Sequence, residues 1–160
     1  MVNLVEEIGR LLRKHNLTLG SVESATGGLI SHLVTNVSGS SDYYLGSIIS
    51  YSNQIKMKLA KVQESTIALH GAVSAEVAEQ MAAGGRNVLG VDICIADTGI
   101  AGPLGATPGK PVGLFYLGLS HRNGTFHRRH LLSGSREENK QLAAQAGLAW
   151  VKEYLLSLEY

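Results

Sequence analysis

A chain of 160 residues, 44% of them hydrophobic and 17% charged, has the composition of one folded domain and excludes a disordered or low-complexity chain. Its formal net charge of +1 gives no electrostatic reason to expect nucleic acid, anionic lipid or another polyanion as partner. A single cysteine, Cys94, rules out an internal disulfide and a zinc site built on several cysteines, and the six histidines fall at no metal-ligand spacing, so no metal is expected. No apolar run is long enough to span a bilayer. Met1 to Lys14 carries Glu6 and Glu7 and no small-residue cleavage site, so it does not resemble a signal peptide and a cytoplasmic location is expected.

In chain order, residues 3–15 read as a helix opened by an Asn3–Glu6 capping box, with Leu4, Val5, Ile8, Leu11 and Leu12 on one face. Residues 17–23 read as a strand. Residues 26–37 read as a helix with Leu29, Ile30, Leu33, Val34 and Val37 at helical spacing. The aromatic and β-branched run 43–51 reads as a strand, and short helices are expected at 53–60 and 64–69. Ser74 caps a helix that Gly90 ends. Gly84 and Gly85 inside it cost roughly 1 kcal/mol each against Ala, which close packing on a sheet would explain. Residues 91–98 form an apolar, buried strand, and 99–111 a Gly/Pro loop. Residues 112–120 and 125–132 pair as a hairpin around Asn123-Gly124, and 136–157 form the closing helix. Strands alternating with helices predict an α/β fold: one three-layer α/β/α domain over residues 1–160, with a mixed, mostly parallel sheet of about five strands and one antiparallel strand.

Three segments could carry chemistry. Glu23-Ser24-Ala25-Thr26-Gly27-Gly28 lies between a strand and a helix, where open α/β sheets place ligands and where free N–H groups suit a phosphate or an oxyanion. Taken alone, the same residues also fit a cap beside packing glycines. Ser50 to Lys56 follows the second strand, so Tyr51 and Lys56 could return towards Ser24, and a lysine whose pKa is pulled down can activate a serine. Pattern alone favours a strand end, an Asn cap and a solvated helix lysine. Thr98 to Gly113 is a shaped loop in a ligand-binding position, or a crossover stiffened by proline, and Lys110 followed by Pro111 excludes a Walker loop. Cys94 reads as an inert core thiol, and His127-Arg128-Arg129-His130 as charge protecting an edge strand.

Together the segments ESATGGLIS (23–31), GSS (39–41), YSNQIK (51–56), HGAVS (70–74), TGIAGP (98–103), KPVG (110–113) and SGSR (133–136) resemble the CinA C-terminal domain family, which includes stand-alone nicotinamide-nucleotide amidases. The resemblance covers nearly the whole chain. It implies an α/β/α layered fold and deamidation of nicotinamide mononucleotide to nicotinate mononucleotide and ammonia, with a serine, a lysine and a tyrosine that fall here at Ser24, Lys56 and Tyr51. Three departures stand out. Ala25 occupies a position that usually holds cysteine, Gly134-Ser135-Arg136 replaces a usual Gly-Asp-Arg, and Lys140 replaces an arginine. The nucleotide-processing N-terminal domain that many members carry is not among these 160 residues, which favours the amidase itself.

The mechanism expected from this resemblance has Ser24 attacking the amide carbon and neutral Lys56 taking its proton. Desolvation and a nearby cation such as Arg136 would lower the lysine pKa. Tyr51 would orient Lys56 or relay the proton, and the N–H groups of Thr26, Gly27 and Gly28 would hold the oxyanion. Asn53, Thr98, Gly99, Gly102, Lys110 and Arg136 would hold a nucleotide substrate. No cofactor is expected. Self-association is compatible with a domain this small, although the sequence marks no interface. The rival from another class is a catalytically inactive nucleotide-binding module of the same family.

Overall fold

The computed structural model describes the backbone of residues 2–159 and the side chains of residues 4–159. Its elements are α1 (Val2–His15), β1 (Leu19–Glu23), α2 (Leu29–Thr35), β2 (Tyr44–Ile49), α3 (Asn53–Lys58), α4 (Glu64–His70), α5 (Ala75–Leu89), β3 (Ile93–Gly99), β4 (Leu114–His121), β5 (Gly124–Leu131) and α6 (Arg136–Ser157), with a 3₁₀ turn at Ser40–Asp42. The expected Asn3–Glu6 capping box rests on the Asn3 side chain, which lies outside the described residues.

The five strands form one sheet in the order β2-β1-β3-β4-β5. β1 pairs parallel with both β2 and β3, whereas β4 runs antiparallel to β3 and to β5. One strand, β4, therefore opposes the other four, and the predicted mixed α/β architecture is the one observed. The all-buried pattern of β1 and the nearly all-buried one of β3 follow from helices covering both faces, which removes the polar alternation of a half-exposed strand. On one face α1, α2 and α6 bury Ile8, Leu11, Leu12, Ile30, Leu148 and Val151 against Leu19, Ile93 and Ile95. On the other, α5 buries Val77, Met81 and Ala82 against Val22, Cys94 and Ala96.

The ends of α5 match the sequence signals: the Ser74 side chain accepts from Val77 N–H at 3.2 Å, and Gly90 closes the helix at φ 66°. Its internal glycines serve two different contacts. A Cβ on Gly85 would lie 2.1 Å from Val22 of the sheet, but one on Gly84 would lie 1.8 Å from the Ala60 carbonyl oxygen, in the connection after α3. The hairpin loop is Arg122-Asn123, one residue earlier than expected, and Gly124 opens β5 at φ 133°. β5 is the edge strand. Arg128 there makes a bidentate pair with Glu153 at 2.8 and 2.9 Å and lies over the Trp150 ring, so this charge serves structure.

α2 departs most from expectation. It begins at Leu29 instead of residue 26, because Gly27 (φ 61°) and Gly28 (φ 104°) take the left-handed backbone that a helix cannot continue. Its first N–H groups turn inwards: the buried Glu23 carboxylate accepts from Gly28 N–H, Ile30 N–H and Ser31 N–H at 3.1, 2.8 and 3.0 Å. A carboxylate from the preceding strand thus caps the helix whose free donors had been expected to face a ligand.

Candidate functional site

The carboxyl ends of β1, β2 and β3 come together at one edge of the fold, and the residues that follow each strand line a cavity of about 300 Å3 there. Such a cavity suits a small molecule. Ser24 and Ala25 enter it from the turn after β1. Tyr51, Asn53 and Lys56 enter from the segment after β2, Thr98 and Gly99 from β3, and Arg136 from the start of α6. A larger hollow of about 710 Å3 lies between the start of α2 and the first turns of α6, bordered by Thr26, Gly27, Gly28 and Lys140, and it contains neither Ser24 nor Lys56.

Lys56 is 2% exposed, although it belongs to a six-residue surface helix. The Ser52 hydroxyl caps α3 by accepting from Ile55 N–H at 3.2 Å, which turns the helix so that Lys56 points inwards. Its Nζ lies 2.9 Å from Ser24 Oγ, 2.9 Å from the Ser50 carbonyl oxygen and 3.0 Å from the Tyr51 carbonyl oxygen. As an ammonium it spends all three N–H groups on these acceptors. As a free amine it keeps two on the fixed carbonyls and turns its lone pair to the serine hydroxyl. Burial lowers the Lys56 pKa, while the Asp97 carboxylate acts in the opposite direction. Arg136 is not the cause. Its guanidinium is held by the Gly102 carbonyl at 2.8 Å and the Tyr51 hydroxyl at 3.3 Å.

The remaining expected residues divide. Tyr51 touches Lys56 through its carbonyl, not its phenol, and the residue is 64% exposed with its hydroxyl on Arg136. Asn53, Thr98 and Gly99 line the cavity. Thr98 also ties β3 to the connection between α4 and α5 through the Ala72 carbonyl at 2.8 Å. Gly102 contributes the carbonyl that holds Arg136. Lys110 lies outside the cavity lining, its ammonium bonded to the His70 carbonyl at the end of α4. Thr26, Gly27 and Gly28 line the other hollow, and their N–H groups are engaged: Thr26 donates to Asp97 Oδ1 at 3.1 Å, Gly27 to the Ser24 carbonyl at 3.1 Å, and Gly28 to Glu23. Among the described residues from Ser24 to His32, Ala25 alone has a backbone N–H without a protein acceptor. It immediately follows the serine.

Two acids escaped the sequence reading of the site. Glu23 and Asp97 are both fully buried beside the Ser24 turn. Asp97 accepts from Ser24 N–H at 3.2 Å and Thr26 N–H at 3.1 Å, and burial pushes its pKa up to about 6, with the Glu23 charge adding to the rise. The available signal for Asp97 was an aspartate inside an otherwise apolar buried strand, which demands buried donors. For Glu23 it was a carboxylate ending an equally apolar strand.

The profile of the CinA C-terminal domain matches residues 1–155. The chain belongs to this family. A CinA-like protein of Salinibacter ruber is 49% identical over 147 residues, covering 92% of this chain and 36% of the relative. A putative competence-damage inducible protein of Moorella thermoacetica is 49% identical over 140 residues, 88% of this chain and 34% of the relative. The chain thus spans about a third of the length of these curated relatives. Among solved structures, a competence-damaged protein (CinA) superfamily protein from Klebsiella pneumoniae superposes with a TM-score of 0.94 at 27% identity, covering 98% of each chain. A competence/damage inducible protein from Agrobacterium tumefaciens superposes with a TM-score of 0.91 at 32% identity, covering 99% of this chain and 95% of its own. Among the described residues no helix is long and apolar enough to cross a membrane, and no cluster of His, Cys, Asp and Glu could hold a metal ion.

Proposed function

We propose that this chain is an amidohydrolase that converts nicotinamide mononucleotide to nicotinate mononucleotide and ammonia, with Ser24 as nucleophile and Lys56 as base. The observation that carries it is the 2.9 Å contact between a buried lysine amine and a serine hydroxyl. Among the described residues no carboxylate forms a salt bridge with that amine. Deprotonating Lys56 converts it from donor to acceptor for Ser24 without moving a heavy atom, because Ser50 and Tyr51 still hold its two N–H groups.

Ser24 Oγ attacks the carboxamide carbon and gives its proton to Lys56. The oxyanion that forms is met by the Ala25 N–H, the unengaged donor of the turn. Lys56 passes the proton to the amide nitrogen, the C–N bond breaks, and ammonia leaves an ester on Ser24. Water then attacks that ester, Lys56 takes the water's proton, and its return to Ser24 Oγ releases the carboxylic acid. Arg136, fixed at the cavity by Gly102 and Tyr51, supplies the positive charge for the nucleotide phosphate. The pyridine amide itself rests on the family resemblance.

Ammonia release from nicotinamide mononucleotide and from free nicotinamide, measured on the purified chain and on Ser24→Ala, tests this reading. Expected are release from the nucleotide, much less from the free amide, and loss of turnover in the variant with its fold retained. Equal rates on both amides would remove phosphate recognition. No release from either would leave a nucleotide-binding module without hydrolytic activity.

A further inference from the structure

Thr26 Oγ1 lies within hydrogen-bonding reach of two buried carboxyl groups at once. It is 2.8 Å from Glu23 Oε1 and also contacts Asp97 Oδ2. A hydroxyl has one proton, so it can donate to only one of them. The other contact requires a proton on the carboxyl group. The donor count says which. Glu23 already accepts three backbone N–H bonds and the Ser31 hydroxyl at 2.6 Å, with the Ser21 hydroxyl at 3.2 Å. Asp97 accepts two backbone N–H bonds. The anion therefore belongs on Glu23, and the proton on Asp97.

We propose that Asp97 is a positioning residue for the Ser24 turn and performs this role as the protonated acid, Asp97 Oδ2–H donating to Thr26 Oγ1 and Thr26 Oγ1–H donating to Glu23 Oε1. Two consequences follow for the reaction proposed above, on which this inference rests. First, the relay and the bonds from Ser24 N–H and Thr26 N–H hold both flanks of Ala25, the cavity-lining residue whose N–H has no protein acceptor. Second, an uncharged Asp97 removes the carboxylate charge that favours the ammonium form of Lys56. The states Asp97-H with neutral Lys56 and Asp97 carboxylate with Lys56 ammonium contain the same number of protons. Transfer of one proton from Lys56 to Asp97 therefore creates the base without raising the pH. The groups around Asp97 are Glu23 on β1, Lys56 on α3 and Thr26 before α2, with Leu117 opposite it on β4 and Arg136 on α6 across the cavity.

Asp97→Asn and Asp97→Ala separate the possibilities. The amide N–H of asparagine offers the same hydrogen to Thr26 at every pH and carries no charge. Asp97→Asn should retain kcat to within about tenfold, because only the Ser24 N–H loses its acceptor. Its acidic limb of kcat/KM should stay where it is in the wild type, since the group beside Lys56 is uncharged in both proteins. Asp97→Ala should lose more than about 100-fold in kcat with KM little changed. An asparagine variant that folds but is as inactive as the alanine variant, or is active with its limb moved to lower pH, overturns the proposal. Infrared difference spectra supply a readout independent of activity. A protonated carboxyl band should be present in the wild type at the pH where it is active, and absent from Asp97→Asn. A wild type without that band refutes the proton on Asp97 even if the amidase reading stands, whereas a band in a chain that releases no ammonia leaves the proton and removes the reaction.

Discussion

Glu23→Gln tests the buried anchor beneath the Ser24 turn. Glu23 Oε1 accepts from Gly28 N–H, Ile30 N–H and Thr26 Oγ1, while Oε2 accepts from Ser31 N–H and from hydroxyls. A glutamine amide placed with its nitrogen at Oε1 would face two backbone donors. With its nitrogen at Oε2 it faces one, Ser31 N–H, because the hydroxyls can rotate to accept. The second orientation is therefore expected, leaving one buried donor unsatisfied at about 1–3 kcal/mol. The bonds that survive also weaken as they lose the charge of the acceptor, from about 1.5–3 to about 0.5–1.5 kcal/mol each. With partial relaxation the net loss is about 3–5 kcal/mol, or roughly 6–20 °C in Tm for a chain of this size. Urea and thermal unfolding of the two proteins measure it, and kcat should fall too, because α2 and the turn before it lose their common anchor. A change below about 1 kcal/mol would refute the assignment of Glu23 as the cap of α2.

The pH dependence of catalysis follows from Lys56. Burial lowers its pKa, and with the free amine as the base of the proposed reaction kcat/KM should rise with pH through that lowered value; a flat profile would defeat it. Lys56→Arg stays protonated at usable pH and should lose about 10²–10⁴-fold in kcat, whereas an active arginine variant would reduce Lys56 to a positive charge. Gly84→Ala should destabilise the fold by about 3 kcal/mol or more in urea, because its Cβ would meet a backbone carbonyl and not a movable side chain; a change within about 0.5 kcal/mol would contradict the packing of α5 on Ala60. Arg136→Ala should raise KM for the nucleotide by about tenfold or more with kcat little changed, and an unaltered KM would exclude it from phosphate binding.

Much of the frame was legible because it is written locally. Ser74 and Gly90 bound α5, the closing helix α6 begins at Arg136 as expected, and charges mark β5 as the edge. The meeting of Ser24 and Lys56 follows from topology, since β1 and β2 are parallel neighbours whose carboxyl ends lie side by side. What local rules missed depends on distant partners. α2 was extended to residue 26 because its cap comes from Glu23, a strand residue five to eight positions upstream of the donors it holds. The oxyanion donors were assigned to Thr26, Gly27 and Gly28 for the same reason: nothing in their spacing reveals that Asp97, Ser24 and Glu23 already accept those bonds. The Tyr51 contribution to Lys56 runs through a carbonyl, which residue identity does not encode.

The buried charges at this edge of the sheet also explain why the reactive protonation state is accessible. For Asp97, a rise from the ordinary 3.8 to about 6 corresponds to on the order of 3 kcal/mol. The folded state holds this proton more tightly than the unfolded chain. Stability therefore falls as pH rises from 3.8 to about 6, and the full penalty for the carboxylate persists above that. Lys56 has the opposite sense. Its folded value is lowered, so the ammonium penalty is fully present below that value and disappears as pH rises past the unfolded value. The ion-pair form of the site carries both penalties, partly offset by the attraction between the charges. Moving one proton from Lys56 to Asp97 removes both charges together, at the cost of that attraction. Burial, which destabilises each charge, thereby favours the neutral amine beside Ser24 that the proposed attack on a carboxamide uses.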